Sequence, residues 1–521
     1  MQNESNDHFD VLVIGFGPAG AVAAGMLGKL GHRTLVIDRL TGIYDKPRAI
    51  ALDHEIMRHF DNMGIAEAIM PHVAPFSTSR HFGAEGQLIR QIDMVPEPYP
   101  LGYTPSMVFT QPPVEAIMRR HAESFDCIEI ETGCELVDMA FDDHGVRAQI
   151  RTADGTMRHV TADYLIGCDG ASSTVRQLAG IRLEDLVFDE PWLVVDVLVN
   201  DQAFSKVPQT SAQFCDPARP TSFVIGPGNH RRWEIMLLPE EDPREMERPD
   251  KVWALLSPWL EPQDGELWRA AAYRFHALVA ETWRAGRIFI AGDAAHQQPP
   301  FIGQGMCQGL RDVANLVWKL DRVIKGQSPD SLLDSYGTER KRHVQELTGR
   351  IKGIGEMICI RDPAKAAERD ARILTDGGGK PKTITRQEIV PPLQEGLIDA
   401  ESPPASGSLF PQPAVRTDDG LVLLDKIAGS GWRLFVDGRL PHASVDTQSA
   451  ASIGLSVFSI APSTVTGNDE ILIEEHGILA SWFDHHHVCA VIVRPDHYVY
   501  GTARQPDEIE QKIAELRRRL S

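Results

Sequence analysis

The run Gly15-Phe16-Gly17-Pro18-Ala19-Gly20 falls between Asp10-Val11-Leu12-Val13-Ile14 and an Ala-rich stretch from Pro18 to Leu30. A short apolar run ending in glycine suits a buried parallel strand. The stretch that follows suits a helix. Gly31-His32 closes it, and Arg33 to Asp38 reads as the next strand. The glycines therefore occupy the strand-to-helix turn of a βαβ unit, the context in which such a run binds a dinucleotide. Gly15 allows the tight turn, Gly17 lets the backbone approach a pyrophosphate, and Gly20 lets helix pack on strand. Pro18 and Ala19 open the helix, whose free N–H groups and positive dipole end face the phosphates. Asp38, with its neighbour Arg39, closes the second strand, where a carboxylate can accept from a ribose. A glycine turn in a plain α/β protein would not put strand, turn, helix and acid in register.

A second cluster narrows the ligand. Gly292-Asp293-Ala294-Ala295-His296 follows the apolar strand Arg287–Ala291 and leads through Pro299-Pro300 to Gly303-Gln304-Gly305-Met306. Asp293 is placed to bind a ribityl chain. The turn at Gly303 to Gly305 opens a helix whose N–H groups would point at a flavin pyrimidine, where reduced flavin carries negative charge. A helix-capping aspartate does not explain the whole run. Two such clusters, far apart in the chain, fit FAD lying extended across one domain.

With 521 residues, the chain is long enough for two to three domains. Its net charge of −21 disfavours binding to a nucleic-acid backbone. It has no apolar run long enough to span a bilayer, and its polar, acidic start reads as no secretory signal. These features suggest a cytoplasmic protein. The seven cysteines include no CxxC pair, so a disulfide framework, a zinc site and a dithiol centre are unsupported. His485-His486-His487 cannot all face one ion on a strand and read as surface or strand-end residues, leaving no metal site.

The expected fold class is α/β, a Rossmann-type FAD-binding domain with a β-rich insert and a small C-terminal α/β domain. Residues 1–180 and 281–375 form the two parts of the FAD-binding domain. Residues 181–280 form the β-rich substrate domain, as the alternation in Trp192–Val199 and Arg232–Leu238 suggests. The Gly- and Pro-rich stretch 376–408 reads as a linker. Residues 409–521 form the last domain, ending in a charged amphipathic helix from Glu508 to Leu520.

Three segments together resemble the class A flavoprotein aromatic hydroxylases, with their p-hydroxybenzoate hydroxylase-like fold. They are Gly15–Gly20, Cys168-Asp169-Gly170 with its continuation to Arg176, and Gly292-Asp293 with its continuation to Asn315. A closer similarity is to the 3-(3-hydroxyphenyl)propionate hydroxylases. It rests on Asp45–Ile50, Gln111–Glu115, Cys215–Pro220, Arg231-Arg232-Trp233-Glu234, Ser481-Trp482-Phe483 and Arg494-Pro495-Asp496. The resemblance implies that the C-terminal domain is thioredoxin-like. Without CxxC it would be structural, for instance a contact in a homo-oligomer. It also implies that Arg48, Gln111 and Asp169 contact FAD, that Arg120 reaches it, and that Pro299 and Pro300 wall the chamber beside the flavin. Gln297-Gln298 stand where relatives carry apolar residues.

The activity so implied is NADH- or NADPH-driven hydroxylation of a phenolic aromatic acid by O2 through a flavin C4a-hydroperoxide. The expected substrate is 3-(3-hydroxyphenyl)propionate or an analogue, in aromatic catabolism. Candidates to help withdraw the phenol proton are Asp53, His54, Tyr273 and His276, each of which reads equally as a packing or surface residue. Arg219 or Arg232 would balance a substrate carboxylate. Two rivals stand: a same-fold hydroxylase of a nitrogen heterocycle or polyketide-like phenol, and an FAD-linked dehydrogenase or oxidase.

Overall fold

The computed structural model describes residues 8–401, 405–440, 445–465 and 471–521. Parallel strands form its first layer in the order Ile288–Ile290, Met157–Gly167, His8–Ile14, Thr34–Asp38 and Ile128–Thr132. Val11 to Val13 and Leu35 to Ile37 are at most 1% exposed, buried in one apolar cluster with helices and with antiparallel strands that pack on the sheet. The helices Pro18–Leu30, Gln111–Glu123 and Gly305–Ile324 pack together on it. The outer half of Met157–Gly167 runs on into an antiparallel meander with Gly145–Arg151 and Glu135–Asp142.

A nine-stranded sheet lies beside this domain. Its central strands are Gly265–Ala280, Leu183–Val199 and His230–Met236. Period-two alternation separates its faces. Leu193, Val195 and Trp233 pack with the helix Pro249–Leu256 on one side. Trp192, Val194 and Phe275 pack with Phe301 and Ile302 on the other, so this face meets the second glycine cluster.

The stretch read as a linker is partly built into this sheet. Lys382–Thr385 pairs in parallel with Leu88–Asp93 and forms the sheet edge. The β-branched run Thr383-Ile384-Thr385 favours a strand once an open edge is available, and the Gly and Pro residues around it mask that short signal.

The last sheet contains Trp432–Asp437, parallel to Leu455–Pro462 and antiparallel to Ala490–Val493, which pairs antiparallel with Val499–Ala503. Trp318 of the long helix Gly305–Ile324 meets Trp432 edge-on, with centroids 5.6 Å apart, joining the two domains through one apolar cluster. His485 and His486 end the helix Ile478–His486, with His487 left-handed at φ 54°, so they are helix-end rather than strand-end residues. No helix among the described residues is long and apolar enough to cross a membrane.

Candidate cofactor and substrate site

The fingerprint turn is dictated by backbone crowding. Gly15 has φ +99°, and a Cβ there would lie 2.4 Å from the carbonyl oxygen of Cys168. A Cβ on Gly20 would lie 1.8 Å from the carbonyl oxygen of Gly15. Gly17 meets nothing within 4 Å, so its need for glycine does not come from the protein around it. Asp38 accepts the amides of Phe16 and Leu40, both at 2.7 Å, which fixes the turn against the second strand. Arg39 is exposed, and so is Arg120. Arg119, one residue earlier, instead lies over Phe16 at 4.8 Å.

The second cluster closes on the first. Asp312, in the long helix, accepts the Gly292 amide at 2.9 Å, His296 Nε2 at 2.8 Å and Arg340 Nε at 2.9 Å. These bonds hold the Gly292–His296 turn against the helix. Arg176 donates to the carbonyls of Ala294 and Ala171, at 2.9 and 2.8 Å, tying the Asp169-Gly170 segment to the same turn. Asp169 accepts Ser173 Oγ and the Val175 amide. Asp293 is open to solvent yet recessed, and desolvation pushes its carboxyl above the ordinary range, with His296 and Arg48 working the other way. Gly303, at φ +60°, has no room for a side chain because Ala51 Cβ would be 2.5 Å away. Gly305 and Met306 begin the helix Gly305–Ile324.

Several observations fit a flavin dinucleotide along this line. Gly17 and Gly305 are free of neighbours where a Cβ would project. Both amide atoms of Gln298, beside Pro299 and Pro300, are buried without a partner. Arg48 has no carboxylate partner among the described residues. Its backbone N–H and that of Ala49 donate to Gln111 Oε1, at 3.2 and 2.6 Å. Gln111 thus shapes the segment that carries Arg48.

The face of the nine-stranded sheet opposite this line carries a polar cluster. Arg232 is 3% exposed. It bonds Asp196 with Nε at 2.7 Å and Nη2 at 3.2 Å, and donates to the carbonyls of Arg48 and Pro47. Its donors are therefore committed to positioning the Arg48 segment, not to a substrate carboxylate. Arg219 is likewise committed, clasping Glu241 at 2.7 and 2.9 Å. Tyr273 is 40% exposed and its hydroxyl pairs with Arg269. His276 lies at the sheet end, 3.6 Å from Asp189. Glu234 shares the strand face with Arg232, is 5% exposed, and has no hydrogen-bond partner among the described residues. Desolvation, reinforced by Asp196 and opposed by Arg232 and Arg269, pushes its carboxyl up to about 7. The alternation of Arg232 and Glu234 with apolar Trp233 and Ile235 was a legible sign that two charges face inward.

Asp53 does not offer a free base. It caps the helix His54–Met63 through the Ile56 amide at 3.2 Å, pairs with Arg311, and takes Gln304 Nε2 at 3.1 Å. Burial alone would raise its carboxyl, but the charges of Arg311 and His54, with the hydrogen bonds from Arg311 and the Ile56 amide, together outweigh this and leave it below the usual range. Next to it, His54 is 8% exposed with Nδ1 unpartnered, and burial lowers its pKa to about 4. Asp53 and His54 both line a cavity of about 560 Å³ between the flavin loop, the edge strand and the C-terminal domain. Among the described residues no cluster of His, Cys, Asp and Glu is placed to hold a metal.

The family model described as "FAD binding domain" matches residues 8–350, and "HcaD C-terminal domain" matches 407–519. The chain belongs to the class A flavoprotein hydroxylase family. It is 37% identical to the "Probable NADH-specific resorcinol 4-hydroxylase" of Rhodococcus jostii, covering 97% of this chain and 94% of that protein. It is 32% identical to a "3-(3-hydroxy-phenyl)propionate/3-hydroxycinnamic acid hydroxylase" of Burkholderia cenocepacia, covering 96% and 94%. Its fold matches the flavin-dependent monooxygenase PieE in complex with FAD and substrate, with TM-score 0.83, 21% identity, and coverage of 98% and 99%. This member of the family is thus an FAD-dependent monooxygenase.

Proposed function

We propose that the protein hydroxylates a small phenolic ring with O2, using FAD and NADH, and that its substrate is a 3-substituted phenol of the resorcinol or 3-(3-hydroxyphenyl)propionate type. The relatives' names supply these two ring types. The carrying observation is the polar cluster of Arg232, Glu234 and Arg269 on the sheet face that packs against the flavin loop, in an otherwise apolar wall of Trp192, Phe275 and Phe301. Bound FAD supplies reduction by the nicotinamide and activation of O2. The protein's part is to orient the ring, exclude water and bias the phenol proton. Phe301, Trp192 and Phe275 exclude water. The Gly305 helix start stabilises negative charge beside it.

The C-terminal strand order and its intervening helices support a thioredoxin-like reading for residues 409–521. Without CxxC this domain is structural, a lid and support for the cavity it helps to line. The decisive experiment is anaerobic reduction of the FAD-loaded protein by NADH, with and without resorcinol and 3-(3-hydroxyphenyl)propionate, followed by product analysis under 18O2. Faster reduction with one phenol and label in its product are expected. Hydrogen peroxide without labelled product would favour an oxidase and sink the proposal.

A further inference from the structure

The cavity between the flavin loop and the C-terminal domain holds a cation whose donors the protein leaves largely unmet. Arg386 directly follows the edge strand Lys382–Thr385 and is 5% exposed. Its guanidinium donates to the Ile302 carbonyl and lies 4.7 Å from the ring of Phe76. No carboxylate pairs with it among the described residues. Of the acids in the lining, Glu388 is exposed and pairs with no cation among the described residues, and the two buried ones are engaged elsewhere. Asp53 and Glu55 both hold Arg311, and Glu55 also accepts the Tyr498 hydroxyl at 2.9 Å. Burial lowers the Arg386 pKa to about 10, partly offset by Asp53, so it stays charged at neutral pH. An anionic ligand would pair this charge.

His54, with its unpartnered Nδ1, lines the same cavity, as do Gln304, Gln387 and Glu388. The rest of the lining is largely apolar, including Leu101, Pro105, Ile302 and Val390. The volume, about 560 Å³, lies within the usual range for a small-molecule site, about 300–1,000 Å³. Arg219 and Arg232, the cations expected to meet a substrate carboxylate, are both already paired.

We propose that this cavity receives the acid end of an aromatic carboxylate, with the carboxylate on Arg386. This rests on reading the protein as a hydroxylase of phenols, and it assigns the acid-bearing member of that class to this site.

The test uses the FAD-loaded full chain and titration calorimetry with 3-(3-hydroxyphenyl)propionate and its uncharged counterpart 3-ethylphenol. The wild type is expected to prefer the acid. R386M should weaken the acid by about 10- to 100-fold, the size of a lost charge-assisted hydrogen bond, and leave 3-ethylphenol nearly unchanged. R386K should keep part of the preference. Circular dichroism and FAD content establish that each variant is folded. Equal weakening of both ligands, or a wild type without preference, overturns the assignment. A wild type that hydroxylates 3-ethylphenol without preferring the acid refutes only the Arg386 site. One that hydroxylates no phenol refutes the functional reading itself.

Discussion

Arg494 of the C-terminal domain clasps Glu339 of the helix Asp334–Ile358 at 3.0 and 2.6 Å, with neither side chain reached by solvent. Lys319 and Asn315 bond the same carboxylate, and Asp496 braces Arg494. Removing one partner of such a buried pair leaves an uncompensated charge, at a cost of about 3–5 kcal/mol. R494M should therefore lower the chemical denaturation midpoint strongly. The Arg494 and Lys319 charges outweigh burial and hold the Glu339 carboxyl far below its ordinary value near 4.5. A depressed carboxyl gives stability that is present above that ordinary value and lost as pH falls. Denaturation curves between pH 7 and pH 3 should show the wild type losing more stability than E339Q. Parallel curves would show that Glu339 carries no such charge in the fold.

The two fingerprint glycines should fail differently. A methyl at Gly20 collides with the Gly15 carbonyl, whereas one at Gly17 projects into open space. G20A should destabilise the protein even without FAD. G17A should melt like the wild type as apoprotein yet hold FAD at least about tenfold more weakly, because the methyl stands where the pyrophosphate needs the backbone. Thermal melts of apo and FAD-loaded forms separate the two effects. A G17A protein with wild-type FAD affinity would move the pyrophosphate away from this turn.

Arg232 positions the Arg48 segment through the Pro47 and Arg48 carbonyls. R232M would also leave Asp196 with only His230 and the more distant Arg269, at 3.7 Å. Adding D196N removes that stranded charge and isolates the positioning role. The double variant should bind FAD more weakly and lose affinity equally for charged and uncharged phenols. Selective loss for the acid would return Arg232 to the role of carboxylate partner.

The nucleotide-binding half was legible because its signals are local. The helix Pro18–Leu30 has the limits its residues suggest, and the crowding at Gly15 and Gly20 follows from spacing alone. The substrate side was less legible because its charges are sorted by tertiary partners. Arg219, Arg232 and Arg386 are alike in sequence, and only the fold shows that Glu241 and Asp196 occupy the first two. Arg386 was hidden by its place in a stretch of Gly and Pro that reads as a linker.

Glu234 provides the sharpest pH prediction. Its carboxyl is pushed up to about 7, mainly by desolvation and further by Asp196, against Arg232 and Arg269. Only the ionised form can accept a phenol proton. If the carboxylate faces the bound ring, kcat/KM should rise with pH through about 7, and E234Q should flatten that limb while still binding FAD. A stability measurement checks the ionisation independently. A carboxyl raised above its ordinary 4.5 binds more protons in the folded state between that value and about 7, so its contribution is full below 4.5 and lost as pH rises through 7. E234Q should thus gain stability relative to the wild type at pH 8 and little at pH 4. A stability difference that follows this pattern, with an unchanged kcat/KM profile, would make Glu234 a buried acid of the wall with no part in proton transfer. If neither quantity changes with pH, the carboxyl does not titrate near neutrality.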